Sequence, residues 1–177
     1  MKPARLAWVL AQAHALALAL GALAIALMMV HVSLDVLGKA LLRQPITGTL
    51  EIVSSYYMVA CIFLPLGWVQ QERRHIAVEL WQESLPPGLE RAMRLFADLA
   101  LLAFGLLLCV ASFGEAMIQT AARETSEAVA VRIEVWPSRW FPVVGSALLV
   151  AALLLQVPRM VGDWLRPKAA QPPKTLP

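Results

Sequence analysis

Four long intervals without a single Asp, Glu, Lys or Arg constrain this chain more than any other feature. They are residues 6–34, 52–71, 99–114 and 140–158. A helix needs about 20 mainly apolar residues to cross a bilayer, and the third interval reaches that length if its charged flanks lie at the two interfaces. Only 15% of the residues are charged, whereas soluble domains contain about 25%. The sequence therefore predicts an all-α membrane protein with four transmembrane helices.

The four spans are predicted at about residues 8–34, 50–70, 92–117 and 140–160 of a single membrane domain that covers 1–165. The first uncharged interval has 29 residues, too long for the apolar core of a signal peptide, which has ~7–15 residues, so we expect a retained first helix. Residues 33–49 are predicted to form a short loop. The tail, 166–177, is rich in proline and is predicted to be a disordered cytoplasmic segment.

A basic and amphipathic stretch follows the second span. Arg73, Arg74 and His75 come first, and apolar residues then alternate with polar ones as far as Trp81. This pattern is typical of a helix that lies in the plane of the membrane surface. We predict a short interfacial amphipathic helix at about residues 73–84.

The distribution of positive charge predicts the orientation. The N-terminus, the middle connection and the C-terminal segment carry ten Lys and Arg residues, and the other two connections carry five. Because cytoplasmic segments are enriched in Lys and Arg, both termini are expected in the cytoplasm. The connection at 119–139 then faces outward, and the alternation of Val129, Val131, Ile133 and Val135 predicts an extended segment there.

Several classes of function find no support in the residues. The net charge is only +3, and the Lys and Arg residues are not clustered into a basic patch. No nucleic-acid partner is therefore expected. Cys61 and Cys109 lie within spans and are predicted to be small buried side chains. His14 and His31 share the first helix but stand about 25 Å apart along it, too far to hold one haem or metal. No cofactor is expected, and without a nucleophile motif, a phosphate-binding loop or paired carboxylates an enzyme is not expected either.

Glu51, just before the second uncharged interval, is the ionisable residue with the most open role. A carboxylate in the first turn of a helix is favoured by the helix dipole and needs no further function. An acid at membrane depth also suggests a contact with another subunit or a site of proton coupling. The sequence leaves these three interpretations open.

Short motifs recur in a fixed order along the four spans. An R-x-P-x-x-G-x-x-E pattern leads into the second span, an H-I-x-V-E-L segment follows it, and W-P and F-P-x-x-G precede the fourth; their residues are Arg43, Pro45, Gly48 and Glu51, then 75–80, then Trp136 and Phe141. Over about residues 10–165 this combination resembles the DctQ-like small membrane subunit of tripartite ATP-independent periplasmic (TRAP) transporters.

The resemblance implies a complex in the bacterial inner membrane. A periplasmic solute-binding protein would deliver an organic acid, and a large permease subunit, here a separate chain, would carry it inward with sodium. The small subunit would support the large one and would contact membrane lipids. The residues that we expect at the subunit contact are Arg43, Glu51, Arg73, Arg74, His75 and Trp81.

Three other functions compete with this one. The first is a small homo-oligomeric proton-coupled transporter that uses Glu51. The second is a four-helix redox protein, which would need cysteine pairs in loops or histidines on two spans, and the sequence has neither. The third is a purely structural assembly factor, which differs from a transporter subunit in what it co-purifies with.

Overall fold

The computed structural model describes residues 3–71, 87–126 and 132–165, and this part of the chain contains four helices long and apolar enough to cross a membrane. The prediction of an all-α membrane protein with four spans is confirmed. The predicted interfacial helix at about 73–84 and the tail at 166–177 lie outside the described residues.

The helices and strands are numbered here in chain order. Helix α1 is Pro3–Leu37 and continues into a π-helical segment, Gly38–Leu42. Helix α2 covers Thr49–Gln71, α3 covers Pro87–Ala122, and α4 covers Trp140–Leu165 after a 3-10 turn, Trp136–Arg139. Between α3 and α4 lie two short strands, β1 at Thr125–Ser126 and β2 at Ile133–Glu134.

Helix α1 extends beyond the end expected near residue 34, so the loop predicted at 33–49 is shorter. Asp35 and Lys39 are four residues apart and form an ion pair on one helix face, a spacing that supports helix formation. The helical segment ends where Arg43 adopts a left-handed conformation, with φ of 54°. The Arg43 backbone N–H donates to the Gly38 carbonyl, as is common at helix ends.

Helix α2 is irregular in two places. Residues Val53–Tyr57 form a π-helical segment, and Leu64 and Pro65 interrupt the helix again. Proline has no N–H to donate and its ring crowds the preceding turn, which explains the second interruption. The regular segments of α2 are Thr49–Ile52, Met58–Phe63 and Leu66–Gln71.

Helix α4 lies at the centre of the bundle. It packs against α3 and against the second half of α2, while α1 packs chiefly against α2. Helices α4 and α2 approach closely at Gly145 of α4, where a Cβ atom would lie 2.1 Å from the Phe63 carbonyl oxygen of α2. Within the described residues the buried core between α1 and α2 consists mainly of small side chains, as expected where helices approach closely in a membrane: Ala17, Ala24, Ala60 and Leu64.

The two strands form a short antiparallel pair in which Thr125 faces Glu134 and Ser126 faces Ile133. The predicted extended segment is thus found at Ile133. Val135 differs, because its φ of −108° and ψ of −18° already turn the chain toward the 3-10 turn. Val129 and Val131 lie outside the described residues.

Candidate docking site at the paired-connection end

Two connections meet at one end of the bundle, the one from α1 to α2 and the one from α3 to α4. We refer to it as the paired-connection end. Gly48 and Ile133 bring the two connections into contact. Gly48 has φ of 87°, and a Cβ atom there would lie 2.5 Å from Ile133 Cδ1. A left-handed conformation with so little space favours glycine.

Asp35 organises the connection from α1 to α2. This residue is only 4% exposed. One carboxylate oxygen pairs with the Lys39 ammonium, and the other accepts a hydrogen bond of 2.7 Å from the Ile46 backbone N–H. A buried carboxylate is stable only with such partners, and they hold the connection against the end of α1.

The two histidines within the described residues have separate environments. His31 contacts the Thr49 hydroxyl at 3.5 Å and packs edge-to-face on Tyr57, with ring centroids 5.9 Å apart. His14, 1% exposed, places Nε2 3.1 Å from the Leu148 carbonyl oxygen. Because a carbonyl can only accept, Nε2 of His14 is the donor. Within the described residues no group of three or more His, Cys, Asp or Glu side chains could hold a metal ion.

The connection from α3 to α4 is fixed to both helices that flank it. Arg139 donates from Nε and Nη2 to the two Glu124 carboxylate oxygens, at 2.8 and 2.6 Å. This hydrogen bonding lowers the pKa of the Glu124 carboxyl below its usual value, although partial burial opposes the shift. The Val135 backbone N–H donates to the Glu124 carbonyl at 2.9 Å.

The same connection is also joined to α2. The Tyr56 hydroxyl donates a hydrogen bond of 2.5 Å to the Glu134 carbonyl. Trp136 Nε1 donates to the Glu134 carboxylate at 3.0 Å. The start of α2, the end of α3 and the start of α4 therefore share one network of contacts.

A cavity of about 510 Å³ lies between the end of α1 and the start of α2. Asp35, Lys39 and Glu51 line it together with apolar side chains. Glu51 is half-buried in the first turn of α2. Asp35 and Lys39 pair with each other, whereas the Glu51 carboxylate makes no hydrogen bond or ion pair within the described part of the chain.

The residues predicted from the sequence to contact a partner are only partly described. Glu51 lies at this cavity, and Arg43 is exposed at the end of the π-helical segment. Arg73, Arg74, His75 and Trp81 fall outside the described residues, and their roles stay predictions.

Sequence reasoning does not find the two ion pairs at this end. The four-residue spacing of Asp35 and Lys39 is a usable signal for the first pair, but it applies only to a helix, and the sequence predicts a loop there. The pair of Glu124 and Arg139 spans 15 residues and has no local signal.

Helix α3 exposes an extensive apolar surface. In its most apolar window only 6% of the residues are buried, compared with 39% for α4. The exposed large side chains include Phe96, Phe104, Leu107, Val110 and Phe113. Such a surface is stable only when lipid or another membrane protein covers it.

Comparison with known proteins gives the family. The family model described as "Tripartite ATP-independent periplasmic transporters, DctQ component" matches residues 28–162. No curated protein and no solved structure matches the chain significantly. The family match includes the end of α1, the other three spans and both connections of the paired-connection end. The chain belongs to the DctQ family and is the small membrane subunit of a TRAP transporter.

Proposed function

We propose that this subunit supports a separate large permease subunit during sodium-coupled uptake of an organic acid delivered by a periplasmic binding protein. The observation that carries the proposal is the exposed apolar surface of α3, where only 6% of the most apolar window is buried by the chain's own helices. A helix that spans a membrane while packing chiefly on one neighbour leaves its remaining faces for lipid or a partner. The family match supplies the kind of partner.

Glu51 is proposed as a polar anchor for that partner. Its carboxylate is half-buried beside a cavity and lacks a partner within the described chain. A partly desolvated charge gains most from an added donor, so a cation or N–H group of the large subunit is the expected complement. Arg43 is placed in the same contact, and Arg73, Arg74, His75 and Trp81 are proposed to hold the large subunit at fixed depth.

The orientation is part of the proposal. The excess of Lys and Arg at the termini and the middle connection supports cytoplasmic termini in a bacterial inner membrane. The paired-connection end then faces the periplasm. Its two connected loops would then form the surface that the binding protein approaches.

The test is gentle detergent extraction of the tagged chain expressed from its native locus, followed by mass spectrometry. We expect a stoichiometric large membrane subunit with the wild-type chain and at least about tenfold less with Glu51→Gln, since losing a charge-assisted bond costs about 1.4 kcal/mol or more. The control is Glu134→Gln, whose carboxylate already pairs with Trp136. Arg73→Ala/Arg74→Ala tests the second part of the contact. Wild-type recovery with both Glu51→Gln and the double variant would remove these residues from the interface.

The unpartnered Glu51 carboxylate also favours a second candidate, a homo-oligomeric proton-coupled transporter. The chain would then purify as a stable homo-oligomer and drive uptake alone in proteoliposomes under a proton gradient. Glu51→Gln would abolish that uptake. The proposal of a supporting subunit expects no uptake from the chain alone, and sodium-dependent uptake only with the large subunit and the binding protein present.

A further inference from the structure

A second cavity, of about 590 Å³, opens between α2 and α3. The beginning of α4, including Pro142, forms its floor. We refer to it as the α2–α3 cleft. It is separate from the cavity at Glu51, which lies between α1 and α2. The cleft exists because α3 packs chiefly against α4 rather than against α2.

The lining of the cleft changes with depth. Near the paired-connection end it contains Ser55, Glu115 and Arg139. Farther along α2 the lining residues are Val59 and Phe63, about 6 and 12 Å beyond Ser55 at 1.5 Å per helical residue. The cleft is thus polar at the membrane surface and apolar toward the membrane centre. A phospholipid in the same leaflet has its headgroup and its acyl chains in that order.

Two hydroxyl groups line the cleft from different helices without protein partners. Ser55 lies on α2 and Ser112 on α3. Both side chains are half-buried, and neither hydroxyl has a hydrogen-bond partner in the described chain. By contrast, Ser54 and Ser138, which also line the cleft, donate to backbone carbonyls. Ser55 and Ser112 are therefore free to donate to a bound group.

The charges around the cleft carry both signs. Arg139 donates from Nε and Nη2 to Glu124, and its Nη1 has no partner within the described residues. Glu115 accepts a hydrogen bond of 2.7 Å from Gln119, which leaves its second carboxylate oxygen open. The three charged groups together carry one excess negative charge. A ligand with both an anionic and a cationic group matches this arrangement better than a simple anion.

We propose that the α2–α3 cleft binds one zwitterionic phospholipid with a primary ammonium group, of the phosphatidylethanolamine type. Its phosphate accepts hydrogen bonds from Ser55, Ser112 and Arg139 Nη1. Its ammonium donates to Glu115. One acyl chain lies along Val59 and Phe63.

Other occupants fit less well. A lipid with an anionic headgroup and no ammonium would meet the excess negative charge of Glu115 and Glu124. A free anion would leave the apolar part of the cleft uncovered. A helix of the large subunit could also accept hydrogen bonds from these hydroxyls, as serine side chains do between membrane helices, so that occupant is an outcome of the test.

The test is native mass spectrometry of the full chain with added phosphatidylethanolamine or phosphatidylglycerol of identical acyl chains. We expect one retained phosphatidylethanolamine molecule, with about tenfold weaker retention of phosphatidylglycerol, because one ion pair separates the two lipids. Glu115→Gln should remove this preference. Ser112→Val should weaken phosphatidylethanolamine retention severalfold, and the control Ser33→Val, at an exposed position of α1, should not.

Thermal unfolding in detergent shows whether each variant is folded, so that loss of lipid is not confused with loss of structure. A photo-crosslinking side chain at Ala111, which lines the cleft, is introduced in cells that also express the large subunit. Crosslinks to phospholipid are expected. Equal retention of both lipids, wild-type lipid binding by Ser112→Val and Glu115→Gln, or crosslinks only to the large subunit would overturn the proposal.

Discussion

Helices α3 and α4 are almost equally apolar, yet they differ widely in how much of their surface the protein covers. In the most apolar window of each, 39% of the α4 residues are buried and only 6% of the α3 residues. Lipid tails are as apolar as leucine, so hydrophobicity does not draw one membrane helix to another. Hydropathy therefore finds both helices without telling which of them lies at the centre.

The placement of small and polar residues makes the difference. Helix α4 has Gly145 against the Phe63 backbone, a fully buried Ser146 that donates to the Pro142 carbonyl, and Gln156 paired with Gln70 of α2. Helix α3 has Gly105 against Val150 and a fully buried Ala116, but its outward face is filled by large apolar side chains. What separates the two helices is where such residues lie: in α4 Ser146 and Ala152 are buried, whereas in α3 Ala100, Ala103 and Gly114 are exposed.

The largest effect is expected where the two helices differ most, at their glycines. Gly145→Ala should lower the free energy of unfolding by about 2–3 kcal/mol, because the new methyl group overlaps the backbone of α2. Gly114 of α3 has no atom near its missing Cβ, so Gly114→Ala should be neutral or stabilise by up to ~1 kcal/mol. Unfolding in mixed detergent micelles measures both. Equal effects would show that Gly145 is not the contact described here.

The next effect compares a buried amide pair with a half-buried amide. Gln156→Leu should cost about 1–2 kcal/mol, because it leaves the amide of Gln70 without this partner in the core. Within the described residues the side chain of Gln119 in α3 bonds only to the exposed Glu115, so Gln119→Leu should change stability by less than about 0.5 kcal/mol. The same unfolding assay gives the comparison, and a larger loss for Gln119→Leu would reverse it.

A smaller effect is expected at the ion pair of Glu124 and Arg139, which joins the end of α3 to the start of α4. The folded-state pKa of Glu124 lies below its unfolded value because Arg139 bonds to the carboxylate. The stabilisation is therefore present above the unfolded pKa and is lost as pH falls through the folded pKa. For a partly exposed pair we expect at most about 1 kcal/mol.

Thermal stability measured between neutral and strongly acidic pH should fall less in Glu124→Gln than in the wild-type protein. Glu134→Gln, a glutamate outside the ion pair, is the control. An identical pH profile for Glu124→Gln and wild type would mean that the pair does not contribute.

The smallest effect on the isolated chain, and the sharpest test of the exposed surface, is at Leu107. Its side chain is 71% exposed on α3, so Leu107→Ala should change the stability of the isolated chain by less than about 0.5 kcal/mol. Recovery of the large subunit should nevertheless decrease. Leu154→Ala, at an exposed position of α4, is the matched control. Equal recovery with both variants would argue that lipid covers this part of α3.

The sequence was sufficient for the number of spans, because a stretch of bilayer length without charge seldom occurs outside a membrane helix. It was also sufficient to place Glu51 in the first turn of α2. It was insufficient for the end of α1, where Asp35 suggested a loop but is instead a buried helical residue with two partners. The pair of Glu124 and Arg139 and the contact of Gly48 with Ile133 join residues distant in the chain, and no periodic pattern encodes such contacts.

The network at Glu134 has a mechanical consequence. Tyr56 bonds to the Glu134 carbonyl, and the adjoining Val135 bonds to Glu124, which also pairs with Arg139. At that end, α2, α3 and α4 cannot separate one at a time without breaking these bonds. Any tilting of α3 would therefore pivot about the paired-connection end and have its largest amplitude at the opposite membrane surface.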